Sequence, residues 1–369
     1  MSLLYGAAEA EARRTLRSYV KGLSHLSFFK TPGRHAAAGA LRRLLFASAA
    51  ALFIFAPQTT GAARQAPAGS LIVTASGVRL RERPDSGSAE VARLLLGAVV
   101  NTHERTPAKS KVGTAEDFWY LVSAPNGARG WVFGGLVAPF DPARREETYR
   151  SLAAERLARA DSNFAELSEL VRFLGRAAKE VTRREARAEL ELARLTALAR
   201  SLASFSIENQ EQAPYKAWTT EHDAEIVYSE PAGQWYVRGE RFWDFQSRYK
   251  DLPVLAERAA WEGAQTPLPG ECEGFLPCNF AVESMTSGKY LQLYPRGAHA
   301  EAALAQIAEM LGYVTEDLRS PKPVYEVPRA DRAEFRKTAA ALRAQIAGAA
   351  SPKKTPLLTQ LDAIMRRFR

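Results

Sequence analysis

Cys272 and Cys278 are the only cysteines in the 369-residue chain, and five residues separate them in a segment rich in glycine and proline. Two thiols can form a disulfide, contribute to a metal site or act as a redox dithiol. A zinc site would need two more ligands, and His299 is the only histidine nearby. A thioredoxin-like dithiol has two intervening residues rather than five. In an oxidising compartment the even count favours a Cys272–Cys278 disulfide, which would stabilise the fold by roughly 2.4 kcal/mol.

A run of titratable residues from Glu221 to Glu225 includes His222 and Asp223 and is a candidate general-base cluster. Short polar runs of this kind are usually exposed loops. Elsewhere the sequence contains no glycine-rich phosphate loop, nucleophile elbow, Cys–His pair of known spacing or zinc-binding histidine motif. We therefore expect no catalytic residue, no metal site and no cofactor.

Aromatic and basic residues that could bind a ligand lie between residues 79 and 133. Trp119 and Trp131 could stack on a ligand, but we expect them to fill the centre of a small β-domain. Tyr120 and Phe133 would then point outward and form the candidate groove. Arg81 would be the partner of a ligand carboxylate.

Short β-rich runs separated by turn formers surround these aromatics and predict a small β-barrel over residues 70–140. In the run from Val78 to Arg81, aliphatic residues alternate with arginines, which places the aliphatics inside. Gly77 and Gly97 are expected in tight turns with positive φ, and Gly130 where two strands approach closely. The predicted strands are Leu71–Val73, Val78–Arg81, Val91–Leu96, Ala98–Thr102, Trp119–Val122 and Gly130–Phe133.

The segments 74–84, 94–100, 119–122, 130–132 and 136–137, in this order and spacing, resemble a bacterial SH3 (SH3b) domain. The sequence departs from the family at Arg79, where the family often has Asn, and in a longer insertion at residues 102–118. The resemblance implies an SH3-like barrel over residues 70–140. It also implies recognition of a cell-wall peptide or of a protein in the cell envelope.

The rest of the chain is expected to be mainly helical. Residues 141–205 predict a helical hairpin whose second helix opens with a capping box at Thr182–Glu185. Residues 206–330 predict a β-hairpin and pairs of short helices around the cysteine loop. Residues 280–313 there resemble the helix-turn-helix of tetratricopeptide (TPR)-like proteins. Residues 331–369 predict C-terminal helices; the last has an apolar face that could dock on the helical region or bind a partner or membrane surface.

Most of the net charge of +9 lies in residues 1–66, which hold nine basic and two acidic residues, a charge of +7. Residues 67–369 hold 41 basic and 39 acidic residues, a charge of +2, so charge does not predict a nucleic-acid partner. Arg42 and Arg43 precede the charge-free apolar run 44–56, which with the small residues after it is typical of a signal peptide. We expect cleavage after Ala63 and a periplasmic or secreted protein, or membrane anchoring if the leader is retained.

The sequence thus predicts an α+β multidomain fold, a small SH3-like barrel followed by a mostly helical region. The predicted function is that of a non-catalytic exported protein that binds peptidoglycan or an envelope protein and acts as a scaffold. The alternative is a cell-envelope hydrolase with its active site in residues 206–330. The sequence indicates no oligomeric state.

Overall fold

The computed structural model describes residues 69–268 and 270–368. All of them belong to one compact unit, Gly61–Arg369. The predicted leader, residues 1–66 with its apolar run 44–56, lies outside the described residues.

The β-domain comprises residues 70–140 and forms a seven-stranded antiparallel sheet with strand order β3-β2-β8-β7-β4-β1-β9. β5 and β6 form a separate hairpin inside the insertion at residues 102–118, a hairpin that the sequence did not predict. The strands are β1 (Ser70–Val73), β2 (Val78–Arg81), β3 (Glu90–Leu94), β4 (Val99–Arg105), β5 (Ser110–Val112), β6 (Ala115–Asp117), β7 (Trp119–Ser123), β8 (Arg129–Phe133) and β9 (Val137–Phe140).

The inner face of the sheet encloses a core of small aliphatic side chains. Val78 and Leu80 point inward as predicted, and Val122 and Val132 meet them from β7 and β8. Gly77 and Gly97 have positive φ (64° and 76°). A methyl group at Gly130 would lie 2.7 Å from the carbonyl oxygen of Arg81, so glycine allows β8 to approach β2. Neither tryptophan of the β-domain belongs to this core, so the expectation that they fill its centre is wrong.

Helices follow the β-domain to the end of the described chain. A short β-hairpin, β10 (Ile226–Ser229) and β11 (Gln234–Val237), interrupts them where the sequence predicts a hairpin. The helices are α1 (Arg145–Ala158), α2 (Phe164–Glu180), α3 (Arg184–Ala203), α4 (Tyr215–Glu221), α5 (Gly239–Arg248), α6 (Pro253–Gln265), α7 (Leu276–Met285), α8 (Ser287–Leu293), α9 (Ala300–Asp317), α10 (Arg332–Gly348) and α11 (Lys354–Arg367).

Residues 141–205 form three helices rather than the predicted two-helix hairpin. The additional break precedes Asn163, whose side chain accepts the backbone N–H of Glu166 while the Glu166 carboxylate accepts the N–H of Asn163 (both 3.1 Å). This reciprocal pair is a capping box, which starts a new helix at Phe164.

The capping box predicted at Thr182–Glu185 does not form. A glutamate from another helix takes its place: Glu146 of α1 accepts the backbone N–H groups of Thr182 and Arg183 at 2.8 and 3.0 Å. These backbone hydrogen bonds, that from Arg183 first, lower the pKa of Glu146 to about 2. The start of α3 is therefore capped by a tertiary contact that local spacing does not reveal.

α7 and α8 are separate helices, because the backbone leaves the helical region at Thr286 (φ −110°, ψ −100°). Gln345 of α10 donates to the carbonyl oxygen of Ser284 (3.1 Å) at this break. A methyl group at Gly288 would lie 2.2 Å from the side-chain oxygen of Gln345. The break in the helical backbone at Thr286 therefore lies where α10 packs closely on the junction of α7 and α8.

The last helix, α11, docks on the helical region and buries Leu357, Leu361 and Ile364 in its core. Its apolar face is therefore covered by the chain itself, and the alternative of a membrane-surface helix is wrong for this structure. Among the described residues, no helix has the length and apolarity needed to cross a membrane.

The β-domain is packed directly on the helices. Ile72, Leu96 and Phe140 of the β-domain share one hydrophobic core with Tyr149 of α1 and Phe173 of α2. Polar contacts add to this core: Glu169 of α2 accepts the backbone N–H groups of Gly77 (3.1 Å) and Leu96 (2.6 Å). The outer face of β1 and β9 is thus closed by helices.

We predict that Gly97→Ala destabilises the protein by roughly 1–3 kcal/mol, because the new methyl group would lie 2.1 Å from the Phe173 ring. Gly127→Ala is the matched control: Gly127 also has positive φ (84°), but nothing lies within 4 Å of the added carbon. Urea unfolding of the two variants separates the contact with Phe173 from backbone strain. Equal losses in both variants would contradict a close packing of the β-domain on α2.

Candidate functional site

One row of outward side chains crosses the part of the β-sheet that the helices leave open. The register of the strands places Leu121 of β7 beside Trp131 of β8, and Trp131 beside Arg81 of β2. Glu104 of β4 follows Leu121 at one end of the row, and Glu90 of β3 follows Arg81 at the other. Leu121, Trp131 and Arg81 are each partly exposed. The row therefore presents an aromatic ring flanked by an aliphatic and a cationic side chain.

Arg81 is held in place by the turn between β2 and β3. Its guanidinium donates to the carbonyl oxygen of Ser88 (2.6 Å), and the buried hydroxyl of Ser88 accepts the backbone N–H of Arg83 (2.9 Å). A guanidinium has five N–H donors, so this anchor leaves donors for a ligand. The geometry leaves Arg81 able to offer donors to a carboxylate, and its role in binding a ligand stays a prediction.

The neighbouring arginines are paired within the sheet. Glu90 accepts from Arg93 at 2.9 Å and lies 3.2 Å from Arg79. The hydrogen bond from Arg93 lowers the pKa of Glu90. Arg79, the position at which the sequence departs from the SH3b pattern, therefore belongs to an ion-pair cluster beside the row.

Phe133 is buried (3% exposed), so the expectation that it lines a groove is wrong. It pairs with Trp119 across β7 and β8, and their rings meet edge to face at 5.5 Å. A methyl group at Gly135 would lie 2.8 Å from the Phe133 ring and 3.7 Å from Ala115 of β6. The β5–β6 hairpin and the residues after β8 thus crowd the outer face here.

Tyr120 points inward, which contradicts its predicted place in the groove. It lies opposite Val132 and packs, partly buried, against the aliphatic core of the β-domain. Side chains two residues apart share a face of a strand, so Tyr120 and Val122 are inside, while Trp131 and Phe133 share the outside. Trp131, which was predicted to lie in the core, is the partly exposed aromatic residue of the row.

The titratable run at residues 221–225 folds around a buried histidine rather than an exposed loop. His222 is 6% exposed, and its Nδ1 atom lies 3.0 Å from Oε2 of Glu225. Arg194 of α3 donates to both carboxylate oxygens of Glu225 at 2.8 and 2.5 Å. Burial opposes ionisation, but the hydrogen bonds from His222 and Arg194 lower the pKa of Glu225 to about 2. Glu225 is therefore an ionised carboxylate that fixes the imidazole.

Cys272 and Cys278 form a disulfide with a Cα–Cα distance of 5.4 Å. Glu271 and Glu273 beside it are exposed. Within the described residues, no group of His, Cys, Asp and Glu side chains could hold a metal ion.

We predict that Tyr120→Ala destabilises the protein by roughly 2–4 kcal/mol, because it removes an aromatic ring from the aliphatic core. Trp131→Ala should cost less, because its ring lies on the outer face, away from the aliphatic core. Urea unfolding measures both free energies. A larger loss for Trp131→Ala than for Tyr120→Ala would contradict this assignment of the faces.

The depressed pKa of Glu225 predicts a pH-dependent contribution to stability. Glu225 stabilises the fold at pH values above its ordinary pKa of 4.5, and this contribution is lost as pH falls towards 2. Between pH 5 and pH 2, we expect the melting temperature of the Glu225→Gln variant to fall less than that of the unchanged chain. Glu155→Gln, at an exposed position of α1, is the control and should keep the original pH dependence. Identical slopes for Glu225→Gln and the unchanged chain would contradict the prediction.

Comparison with known proteins bears on the β-domain. The family model of the bacterial SH3 domain matches residues 76–138, the stretch that contains the row of Arg81, Leu121 and Trp131. The match does not include residues 280–313, and their resemblance to TPR-like repeats is not confirmed. No curated protein matches the chain. Residues 76–138 of this chain are therefore a bacterial SH3 domain.

Proposed function

We propose that the chain is a non-catalytic, exported protein whose SH3b domain binds a cell-envelope ligand, either a peptidoglycan peptide or an envelope protein. The observation that carries the proposal is the accessible row of Arg81, Trp131 and Leu121 on the face of the SH3b domain away from β1 and β9. SH3b is a binding domain, which fits a protein without catalysis.

The chemistry of the row favours a short peptide with a free carboxylate. The Trp131 ring offers a flat apolar surface on which a peptide plane or an aliphatic side chain can pack. Arg81, anchored to Ser88, offers N–H donors to a carboxylate at one side of that ring. Glu104, at the other end of the row, can accept an ammonium or amide donor.

The contact between the SH3b domain and the helices supports a scaffold role. Glu169 and the shared hydrophobic core hold the domain on α1 and α2. A ligand on the outer row would therefore be held in a fixed orientation relative to the helical surface. A partner protein bound to the helical region would then lie at a fixed position relative to that ligand.

Export rests on the leader predicted within residues 1–66 and receives support from the cysteine pair. A disulfide between the two cysteines fits an oxidising compartment such as the periplasm or the cell exterior. No cofactor is needed for this function.

Sedimentation with purified peptidoglycan tests the proposal. The full chain should co-sediment, and Trp131→Ala and Arg81→Ala should each weaken retention at least tenfold, since aromatic and arginine side chains dominate binding sites of this kind. Val254→Ala, on α6 with 72% exposure, is the control and should bind as the unchanged chain does. All variants keep the basic residues 1–66, so non-specific attraction to an anionic wall is the same throughout.

Absence of retention by the unchanged chain would remove peptidoglycan as the ligand, and full retention by Trp131→Ala would remove the row as its site. Dye-labelled peptidoglycan separates the proposal from the hydrolase alternative. We expect no release of dye; release that is lost in Glu271→Gln would instead favour an active site in residues 206–330.

A further inference from the structure

A cleft of about 870 Å³ opens between α2, α3 and α5, beside the end of α4. Its volume lies in the range of small-molecule sites. Helix α2 contributes one wall, and Arg187, Arg194 and Leu195 of α3 contribute another. Gly175 of α2 has no side chain to fill the space, so this part of the wall is recessed. The cleft contains none of the row residues of the SH3b domain and belongs to the helical region.

The lining of the cleft is strongly basic. Seven arginine and lysine side chains face four carboxylates there, a formal charge of +3, whereas residues 67–369 together carry +2. The acidic residues are Glu191, Glu221, Glu225 and Asp244, and the basic residues are Arg172, Arg176, Lys179, Arg187, Arg194, Arg241 and Arg248. The lining of this one cleft therefore carries as much net positive charge as residues 67–369 as a whole.

Three of the basic residues are neutralised by carboxylates of the same cleft. Arg194 pairs with Glu225, and Arg172 lies 2.8 Å from Glu221. Arg248 lies 3.4 Å from Glu191. These pairs shape the walls but leave little charge for a ligand.

The other three guanidinium groups donate to backbone carbonyls instead. Arg176 donates to Leu96 and Arg187 to Val181, both at 3.1 Å, and Arg241 donates to Ala224. A carbonyl oxygen orients the guanidinium but does not cancel its charge. Within the described part of the chain, Lys179 also has no carboxylate within ion-pair distance. Among the described residues, the cleft therefore holds four cations without an ion-pair partner, of which backbone carbonyls orient three. With Asp244, the fourth carboxylate of the lining, they leave the formal charge of +3.

A buried imidazole on the wall of the cleft supplies an acceptor. The carboxylate of Glu225 can only accept, so in the neutral imidazole Nδ1–H of His222 donates to it and Nε2 is left with a lone pair. Nε2 is buried and has no hydrogen-bond partner within the described residues. Buried polar atoms without a partner are uncommon and call for an explanation. Nε2 has no accessible surface in this structure, so the imidazole must shift towards the cleft before a ligand hydroxyl group can provide one.

We propose that this cleft binds a small hydroxylated oxyanion, with its phosphate or carboxylate held by Arg187, Arg241 and Lys179 and a hydroxyl group donated to Nε2 of His222. Guanidinium groups suit both oxyanions, because their N–H donors match paired oxygen atoms. A sugar phosphate and a sugar carboxylate share this chemistry. The proposal does not depend on the ligand of the SH3b domain.

Calorimetric titration of the full chain tests the proposal with glucose 6-phosphate, glucuronate, inorganic phosphate and glucose. We expect at least one of the two sugar acids to bind, and glucose not to bind, since it lacks the oxyanion. Binding of glucose 6-phosphate alone would assign the ligand as a phosphate, and binding of glucuronate alone as a carboxylate. Lack of binding by both sugar acids would overturn the proposal.

Two variants test the assignment to the cleft. Lys179→Ala with Arg187→Ala should weaken binding at least tenfold, whereas Arg336→Ala with Lys337→Ala, an exposed basic pair on α10, should leave it unchanged. Unchanged binding in the first double variant would overturn the proposal.

The variant His222→Phe tests the role of the imidazole. The unchanged chain should bind glucose 6-phosphate more tightly than inorganic phosphate, or glucuronate more tightly than acetate, and His222→Phe should remove this preference. A retained preference in a folded His222→Phe protein would refute the role of Nε2.

Discussion

The position of the SH3b domain on the helices depends on the hydrogen bonds that the carboxylate of Glu169 accepts. This carboxylate accepts backbone N–H groups from two turns of the SH3b domain, at Gly77 and Leu96. Leu96 also joins the hydrophobic core of α1 and α2, and Phe173 fills the space beside Gly97, where a side chain would clash. Charge-assisted hydrogen bonds impose a direction that apolar packing alone does not. Together these contacts determine which face of the sheet the helices cover.

The candidate binding surface follows from that choice of face. With β1 and β9 packed on helices, the outer face of β2, β7 and β8 remains accessible and presents Trp131 beside Arg81. The β5–β6 hairpin lies near Phe133, which is buried, whereas Trp131 two residues earlier on the same face stays partly exposed. An insertion that is long for the family thus determines which aromatic residue a ligand can reach.

Basic side chains are concentrated at one place in the helical region. Its arginines and glutamates alternate along the sequence, yet the fold gathers seven basic side chains around one cleft. Carboxylates neutralise three of them, and backbone carbonyls orient three others. The near-neutral total of residues 67–369 therefore conceals a local excess that only the packing of α2, α3 and α5 produces.

The sequence by itself determined the features that depend on neighbouring residues. Alternation placed Val78 and Leu80 inside the sheet, turn glycines marked positive φ at Gly77 and Gly97, and ordered blocks identified the SH3b domain. Only the tertiary structure decided which aromatic residues are exposed. Tyr120 points inward because the pairing of β7 with β8 places it with Val132 on the core side. Phe133 points outward and is still buried, because exposure also depends on what covers an outward side chain. The cleft around His222 was likewise decided by tertiary contacts, since its charges come from helices distant in the chain and local periodicity carries no information about such contacts.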